Sequence, residues 1–491
     1  MTACLDGQVT DRRRQRWIVT SAAFAAFMGT LDAFIVGISL PAITHDFGIT
    51  TSQAAWVTVA YFLMVASLLI PLGKIADRWG LKPLFILGYV IFLSGSLLCG
   101  ISNSIGLLVA SRLLQGIGGS ILRVVAYAVV PKFLPPDVRG WGYGILSTAS
   151  ASGIMIGAPV GGLITSQLSW HWIFLVNIPI GLIAITVVMK VLPEDRPHTS
   201  TGWSFDLVGA IQSFLIICAL TYALNRGNDS GWGSPIILLC LLGSAMLLIL
   251  FIRRERSLAD PLIDLRLFAN RGFVLGIAAL FMTGLFMGGD GFLFPFYLQW
   301  EKGLDPAQAG LVILAFSAIY IPSAQLAGRL SDRLNPALLC GFAMLSASLA
   351  CLMFVGAMAA SGLWWTVIYT LWAAVSCAMF ISPCNKLVMS HAPEQRMGSA
   401  SGLLSTANQL SCVFGICLFE ALFAWPSQRA GLTTLTVVHD RPDLLTTGFQ
   451  FAYLFALLVC AAAAVFAFLN FKRAGRGQSI GPHRGPYRSR V

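Results

Sequence analysis

Long apolar windows recur along the chain, and short polar segments separate them. Each window holds about 20 predominantly apolar residues, enough for an α-helix to cross the hydrocarbon core of a bilayer. The windows lie near residues 17–41, 54–73, 84–103, 105–131, 142–166, 170–192, 206–224, 234–252, 272–299, 308–327, 337–360, 363–388, 400–424 and 448–470. The pattern predicts an all-α polytopic membrane protein with fourteen spans, numbered here in chain order.

The composition supports this prediction. Charged residues make up 11% and hydrophobic residues 57% of the 491 residues, whereas about a quarter of the residues in a soluble domain are charged. The formal net charge of +11 does not indicate a nucleic-acid partner, because no run alternates basic and aromatic residues. A water-soluble globule is therefore excluded, and nucleic acid is not expected as a partner.

The distribution of basic residues predicts the orientation. With the N-terminus in the cytoplasm, 26 of the 32 basic residues fall in cytoplasmic loops and tails, two fall within spans and four fall outside. The two are Arg112 and Arg123, and the four are Arg226, Lys302, Arg429 and Arg441. Because Lys and Arg concentrate on the cytoplasmic side of membrane proteins, both termini are predicted to be cytoplasmic. The first apolar window is too long for a signal peptide, so it is expected to remain as span 1.

No cofactor or metal site is expected. Ten of the eleven cysteines lie in apolar stretches, no CxxC pair occurs, and the six histidines are scattered. The chain contains no GxSxG, HExxH or ATP-binding P-loop motif. The sequence thus favours neither a membrane-embedded enzyme nor an ATP-driven pump.

Two short motifs occur in both parts of the chain. "MGTLDAF" (28–34) in span 1 and "MGGDGF" (287–292) in span 9 place Asp32 and Asp290 at matched positions, 258 residues apart. "GKIADRWGLKP" (73–83) and "GRLSDRLNP" (328–336) place Asp77 and Asp332 255 residues apart. Chance similarity is the alternative, but the nearly equal offsets favour two six-helix halves, as in secondary transporters.

The repeat sets the predicted domain boundaries. Spans 7 and 8 lie between the two repeated sets and are interpreted as an inserted hairpin. The expected parts are a cytoplasmic N-terminal tail (1–16), an N-terminal half (17–192), spans 7 and 8 with their linkers (193–271), a C-terminal half (272–470) and a basic cytoplasmic tail (471–491). The last tail is expected to be disordered and able to contact anionic lipid.

Five motifs together resemble the major facilitator superfamily, in its fourteen-spanner drug:proton antiporter branch. They are "LDAFIVGISLP" (31–41), "GKIADRWGLKPL" (73–84), "RLLQGIGGS" (112–120), "GIMIGAPVGG" (153–162) and "WHWIFLVNIPIG" (170–181). The resemblance implies proton-driven export, small-molecule and proton partners, and a bacterial inner membrane location. A periplasmic adaptor with an outer-membrane channel is a further candidate partner. The chain departs from the family pattern at Phe34, Gly37 and His171, where the family usually has Thr, Asn and Arg.

The loop after span 2 is interpreted as a conformational latch. Gly73 and Gly80 lack a Cβ, which allows close approach to a neighbouring helix. By the family pattern, Asp77 accepts backbone N–H groups at the start of span 13, near residues 398–399. Arg78 is expected to hold the loop to acidic and lipid partners. Ordinary positive-inside charge explains the basic residues but leaves the aspartates without a role.

The repeat of this motif at residues 328–336 is predicted to act in the same way in the C-terminal half. Asp332, with Arg333 beside it, is expected to meet the start of span 5, near Arg139 and Gly140. The two loops would then stabilise one of the two access states.

Span 5 carries small residues at a spacing of four, together with a proline. The motif comprises Gly153, Gly157, Pro159, Gly161 and Gly162. Such a surface lets two helices touch backbone to backbone. In the family this surface seals the two halves and accompanies export, although generic helix packing would also use it.

Five acidic or basic residues lie within spans at more than two residues from a window end: Asp32, Arg112, Arg123, Asp290 and Glu420. Lone charges in hydrocarbon are costly, so each is expected to face the interior or a partner. Asp32 and Arg112 are candidates for a pair, and the family assigns the span 4 arginine a part in proton coupling. Glu420 is expected near the outer end of span 13, within reach of water.

The acids Asp32, Asp290 and Glu420 are candidate proton carriers, with structural ion pairs as the alternative. Arg112 and Arg123 are eleven residues apart, so they share a helix face that is expected to line a substrate cavity. Trp56, Tyr61, Phe292 and Tyr297 are aromatic candidates for the cavity wall, although membrane aromatics more often pack or anchor.

Three functions remain open at this point. The first is a proton-driven exporter of drugs or amphipathic small molecules. The second is a dedicated exporter of one metabolite, such as a siderophore or a self-made antibiotic, which Arg123 favours because a cation suits an anionic substrate. The third, a membrane-embedded enzyme, has no catalytic motif to support it.

Overall fold

The computed structural model describes residue 9 and residues 11–194, 206–258, 261–358, 362–393, 396–432 and 441–477. Helices dominate these residues, and no strand occurs among them. The helices are α1 Arg12–Phe47, α2 Thr51–Trp79, α3 Leu81–Gly100, α4 Ile105–Phe133, α5 Pro136–Gln167, α6 Trp172–Leu175, α7 Asn177–Val191, α8 Leu207–Ser230, α9 Pro235–Ser257, α10 Arg271–Phe296, α11 Pro306–Arg333, α12 Pro336–Ala357, α13 Trp364–Ser390, α14 Met397–Arg429 and α15 Pro442–Gly477.

The fourteen predicted spans are confirmed: fourteen helical segments in the described residues are long and apolar enough to cross a membrane. Spans 1 to 5 are α1 to α5, span 6 is α6 with α7, and spans 7 to 14 are α8 to α15. A short 3₁₀ helix, Leu265–Ala269, precedes α10, and a π-helical turn, Tyr297–Glu301, extends it.

Helices α1 and α15 extend into the two predicted tails. α1 begins at Arg12 because the Asp11 carboxylate accepts the backbone N–H of Arg13 at 2.9 Å and caps the helix. α15 continues to Gly477, so the first residues of the predicted C-terminal tail are helical. Residues 1–8, 10 and 478–491 lie outside the described residues.

The helices form two packed halves, α1–α7 and α10–α15. α1 packs along α5, and α4 lies against both α2 and α3. The matching contacts of the second half are α10 along α14, and α13 against both α11 and α12. The first half has an apolar core that includes Phe85, Tyr89 and Phe92, all 0% exposed. Each half therefore has its own packing, as the internal repeat predicts.

The inserted hairpin α8–α9 lies against the junction of the two halves. α8 contacts α2 of the first half and α14 of the second. The buried Ser52 hydroxyl of α2 donates to the Asn225 carbonyl of α8 at 3.2 Å, and the rings of Trp56 and Tyr222 lie 6.3 Å apart. α8 thus covers one side of the junction, which the sequence pattern did not predict.

The base of the hairpin is held by an ion pair. Asp206 caps α8, accepting the Gly209 N–H at 2.9 Å, and its carboxylate lies 2.8 Å from Arg254 of α9. Burial acts to raise the pKa of Asp206, but the hydrogen bonds from Arg254 and Gly209 outweigh it, so the pKa lies below its usual value.

The two halves touch at one side of the membrane, which we call the distal side. The opposite side holds the first residues of α1 and the last residues of α15, and we call it the termini side. On the distal side Gln299 donates to the Ile38 carbonyl at 2.8 Å, and a Cβ on Gly162 of α5 would overlap the carbonyl of Pro306 of α11.

At the termini-side ends of the helices from both halves, several glycines face open space. Gly73 of α2, Gly140 and Gly144 of α5, and Gly402 of α14 have open space within 4 Å where a Cβ would lie. The linker before α10 contacts both halves, since Lys74 donates to the Pro261 carbonyl at 3.4 Å and Arg396 lies 3.0 Å from Asp264. The structure is therefore closed on the distal side and opens toward the termini side.

Candidate functional site

A central cavity of about 330 Å³ lies between the two halves. Its walls come from α1, α2, α4 and α5 of the first half and from α10, α11, α13 and α14 of the second, which are equivalent spans of the repeat. Most of the wall is apolar and aromatic, including Phe34, Phe62, Phe286 and Phe316. Of the four aromatic candidates, Tyr61 and Phe292 line it.

The lining residues include one acid, Asp290, and one base, Arg123. Arg123 is exposed in the cavity, and within the described part of the chain it has no ion-pair partner. Phe34 and Gly37, where the chain departs from the family pattern, also face this space. The cavity is thus a mainly apolar chamber with one positive and one negative group.

Asp290 is held by two tyrosines. The hydroxyls of Tyr369 on α13 and Tyr453 on α15 each donate to Asp290 Oδ1 at 2.8 Å. Phe354 stacks on the Tyr369 ring at 4.1 Å and meets the Tyr453 ring edge-on at 4.8 Å, which fixes both hydroxyls. Because both bonds go to Oδ1, the carboxyl keeps Oδ2 for a proton or a ligand.

Asp32 occupies the matched position in α1 but has a different environment. Arg112 Nη1 lies 2.6 Å from Asp32 Oδ2, and both side chains are 0% exposed. Gln115 donates to Asp32 Oδ1 at 2.8 Å, and Asn177 of α7 donates to the same oxygen at 3.2 Å. Ser96 accepts a second hydrogen bond from Gln115 at 2.7 Å. The structure therefore brings Asp32 and Arg112 together in a polar network inside the first half.

The rest of Arg112 is also enclosed. Its Nε donates to the Val57 carbonyl at 2.9 Å, and its guanidinium carbon lies 4.5 Å from the Tyr61 ring centroid and 5.7 Å from that of Phe174. Arg123 lines the cavity but Arg112 does not, so the expectation that both arginines line it is wrong for Arg112. The two arginines lie on one face of α4, but the Tyr61 ring covers the part of that face that carries Arg112.

Glu420 is buried in this conformation, at 1% exposure. The Thr51 hydroxyl of α2 donates to its Oε1 at 2.9 Å across the distal junction. The expectation that Glu420 reaches water is therefore wrong here, because the closed distal side packs α2 against α14.

The latch residues are only partly described. The side chains of Asp77 and Arg78 lie outside the described residues, so their predicted role stays a prediction. Gly73 makes no close approach. Gly80 has a φ of 87°, a backbone conformation that favours glycine and turns α2 into α3.

The second loop makes a local contact within its own half. Lys386 of α13 lies 2.6 Å from Asp332, and the two side chains are 46% and 72% exposed. Arg333, the last residue of α11, is exposed. Arg139, near the expected partner site, donates instead to the Leu134 carbonyl at 3.1 Å.

The glycines of α5 face two different neighbours. A Cβ on Gly153, Gly157 or Gly161 would press against α1 of the same half, for example at 2.9 Å from Phe34 Cβ for Gly157. Gly162 instead meets Pro306 of the other half, one turn of helix from Pro159. Three of the four glycines thus pack against their own half, whereas Gly162 and, through Gly310 of α11, Pro159 lie at the contact between the halves.

Sequence reasoning missed five residues of the site: Ser96, Gln115, Asn177, Tyr369 and Tyr453. Gln115 and Asn177 stand within two of the quoted motifs, and a search for neutral polar residues inside the spans would have found them. Nothing in the sequence distinguishes the two tyrosines from the other membrane aromatics.

Comparisons with known proteins agree with one another on the kind of protein. The model of the Major Facilitator Superfamily matches residues 22–416. The riboflavin transporter RibZ of Clostridioides difficile (strain 630) is 32% identical over 84% of this chain and 89% of its own length. The putative multidrug resistance protein MdtD of Shigella boydii serotype 4 is 30% identical over 93% of this chain and 94% of its own.

Two solved structures share the fold. A bacterial homologue of the human lysosomal transporter Spinster, in an inward-facing and unoccupied conformation, has a TM-score of 0.68 at 15% identity, covering 94% of this chain and 98% of its own. A D-xylose–proton symporter has a TM-score of 0.65 at 16% identity, covering 92% and 97%.

Proposed function

Because the chain belongs to the Major Facilitator Superfamily, we propose that it exports amphipathic small molecules across the bacterial inner membrane in exchange for protons. The proposal puts both termini in the cytoplasm, as the distribution of basic residues predicts, so the termini side is taken as the cytoplasmic side. The conformation described above is then the one that loads substrate from the cell. The name of the MdtD relative supports a multidrug substrate range.

The observation that carries the proposal is the position of Asp290. Among the described residues that line the cavity it is the one acid, and its partners there are two hydroxyl groups rather than a cation. An ionised carboxylate without a cationic partner has a high free energy in a membrane interior. Protonation of Asp290 removes that charge and its free-energy cost. Asp290 is therefore proposed as the residue at which a proton and a substrate compete: the proton neutralises the carboxylate, and the substrate binds the ionised form.

Export requires that the two ligands alternate. With the cavity open to the cytoplasm, substrate binding displaces a proton from Asp290 into the cytoplasm, and the ionised carboxylate accepts a hydrogen-bond donor or a positive group of the substrate at Oδ2. After the halves rock and the cavity opens distally, a proton from outside occupies the carboxyl and the substrate leaves. Proton and substrate thus compete for one site in opposite access states, as an antiporter requires.

Asp32 and Arg112 are proposed as a second proton-linked site, with Glu420 as a further acid that the distal opening would hydrate. In the present conformation Asp32 is closed off inside the first half and Glu420 is buried between α2 and α14. The two halves therefore have different roles in this state: Asp290 faces the cavity, and Asp32 is buried away from it.

In the proposed rocking motion, the N-terminal half (17–192) and the C-terminal half (272–470) move as rigid bodies against each other. The inserted hairpin with its linkers (193–271) moves along with them. The latch residues Gly73, Asp77, Arg78 and Gly80, and Asp332 with Arg333, would hold the cytoplasmic side when it closes. A periplasmic adaptor and an outer-membrane channel are proposed partners of the same pump.

A dedicated metabolite exporter is the second candidate. Arg123, which has no ion-pair partner among the described residues, favours it, because a guanidinium in a mainly apolar chamber selects an acidic or electron-rich group. The name of the RibZ relative, a riboflavin transporter, is consistent with a single aromatic metabolite. Under this candidate, Arg123 binds the substrate and Asp290 carries the proton.

The experiment combines substrate discovery with energetics. Efflux of a compound panel from cells with and without the gene identifies a substrate. Purified protein in liposomes with an imposed pH gradient is then compared with Asp290→Asn and with Asp305→Asn, an exposed acid at the start of α11. The proposal predicts uphill transport by wild type and Asp305→Asn but not by Asp290→Asn.

The two candidates give different outcomes in the same assays. Several unrelated amphipathic substrates support the drug exporter, and one acidic substrate that Arg123→Gln no longer transports supports the dedicated exporter. Uphill transport by Asp290→Asn would refute the assigned proton site.

A further inference from the structure

Tyr61 lies between two chemically different compartments. On one side is the central cavity, whose wall includes Tyr61. On the other is the buried pair of Asp32 and Arg112, both 0% exposed and neither part of the cavity wall. The ring itself is 4% exposed and sits 4.5 Å from the guanidinium carbon of Arg112.

α4 is shaped to receive this ring. A Cβ on Gly119 would lie 2.6 Å from the Tyr61 hydroxyl oxygen, and a Cβ on Gly116 would lie 2.9 Å from the Tyr61 backbone carbonyl. Both positions belong to the run of small residues that follows Arg112. The missing side chains allow α2 to approach α4 closely enough for the ring to cover the guanidinium.

The covered pair is a closed polar network rather than an open site. Arg112 and Gln115 together occupy both carboxylate oxygens of Asp32, and Phe174 encloses the guanidinium from another direction, at 5.7 Å. Cys99, which is 0% exposed, extends the network, since its thiol lies 3.8 Å from Gln115 Oε1. Water and protons from the cavity therefore meet the Tyr61 ring before they meet Asp32.

We propose that Tyr61 is a positioning residue that separates the substrate cavity from the Asp32–Arg112 pair, so that displacement of its ring is what exposes Asp32. A substrate that fills the cavity contacts the Tyr61 ring and keeps it on Arg112. When the ring moves, water reaches the pair and Asp32 exchanges its proton. This inference rests on the proposed proton coupling for its purpose, but the seal itself is tested independently.

Cys99 provides a reporter that needs no transport assay. With Cys99 as the sole cysteine, its alkylation by N-methylmaleimide, a small neutral reagent, measures how often the compartment opens to the cavity. Tyr61→Ala is expected to raise the alkylation rate by about 10-fold or more, equivalent to about 1.4 kcal/mol in the opening equilibrium. Tyr61→Phe keeps the ring and is expected to react at the wild-type rate.

Phe62→Ala is the matched control. Phe62 is the next residue, lines the same cavity and contacts the Tyr61 ring at 5.6 Å between centroids. Its removal enlarges the cavity, but the Tyr61 ring stays over Arg112. Equal rates in Tyr61→Ala and wild type, or an equal rise in Phe62→Ala, would overturn the inference. If Tyr61→Ala does not give a monodisperse protein, Tyr61→Leu serves, with the same expectations.

A second readout separates this inference from the proposed function. Liposomes with Tyr61→Ala should dissipate a pH gradient faster than wild type without substrate, and adding Asp32→Asn should abolish the leak. Faster Cys99 alkylation without a leak supports the seal and counts against Asp32 as a proton carrier.

Discussion

Gly162→Ala is predicted to shift the balance between the two access states. Gly162 is the glycine of the α5 motif that contacts the other half, and an added Cβ would overlap the Pro306 carbonyl of α11. This contact exists only when the distal side is closed. The substitution therefore raises the free energy of that conformation and leaves the distally open one unchanged.

The magnitude follows from packing. Adding a methyl group to a well-packed contact costs about 1–3 kcal/mol, and here the obstacle is backbone, which cannot rotate away. The gain in helix propensity from Gly to Ala is the same in both conformations and cancels. A change of about 1–3 kcal/mol is about a 5- to 160-fold shift in the equilibrium toward the distally open state.

Two other glycines of α5 serve as controls. A Cβ on Gly144 meets nothing within 4 Å in the distally closed conformation, so Gly144→Ala should not favour the distally open state. A Cβ on Gly153 would lie 2.7 Å from the Phe27 carbonyl of α1, in the same half. Gly153→Ala should therefore lower thermal stability without changing the balance of access states, because α1 and α5 move together.

The assay is a distance distribution across the distal side. Spin labels at Asn103 in the first half and Trp364 in the second, both exposed, report separation of the halves by pulsed electron resonance. Gly162→Ala should populate longer distances than wild type. An unchanged distribution, or an equal shift with Gly144→Ala, would show that the α5–α11 contact does not control the distal opening.

Three further predictions concern stability and topology. Asp32→Ala leaves the Arg112 guanidinium buried without its carboxylate and should lower the free energy of unfolding by about 3–5 kcal/mol. Asp332→Ala breaks an exposed pair and should cost about 0.2–1 kcal/mol. Thermal unfolding in detergent compares the two variants, and equal losses would contradict the burial argument. The lowered pKa of Asp206 means that its contact with Arg254 stabilises the protein above the ordinary carboxyl value of 3.8 and is lost as pH falls through the lower folded value, so wild type but not Asp206→Asn should lose this contribution in acid melts. Reporter fusions should read periplasmic at Asn228 and cytoplasmic at Arg256, and the reverse at both would refute the assigned orientation.

The spans and the repeat were predictable because membrane burial leaves a strong one-dimensional signal. A window of about 20 apolar residues has few alternatives to a spanning helix, and the matched aspartates at 32 and 290 revealed the two halves. Helix ends were less predictable: α1, which Asp11 caps, begins at Arg12, five residues before the apolar window.

The environments of the charged residues were not predictable, because they depend on contacts between helices distant in sequence. Spacing placed Arg112 and Arg123 on one helix face, but it could not show that a ring from α2 covers the first and leaves the second in the cavity. The burial of Glu420 depends on which side of the protein is closed. Likewise, α8 bridges α2 and α14 through contacts that no pattern within α8 reveals.

The exchange of a proton for substrate at Asp290 is the central claim, and a proton-release measurement tests it most directly. Purified protein in weakly buffered detergent at near-neutral pH is mixed with a substrate from the efflux panel, and the pH of the solution is recorded. Wild type and Asp305→Asn should release protons on binding, because substrate displaces the proton from the Asp290 carboxyl, and Asp290→Asn should release none. Undiminished proton release from Asp290→Asn that still binds substrate would contradict the account.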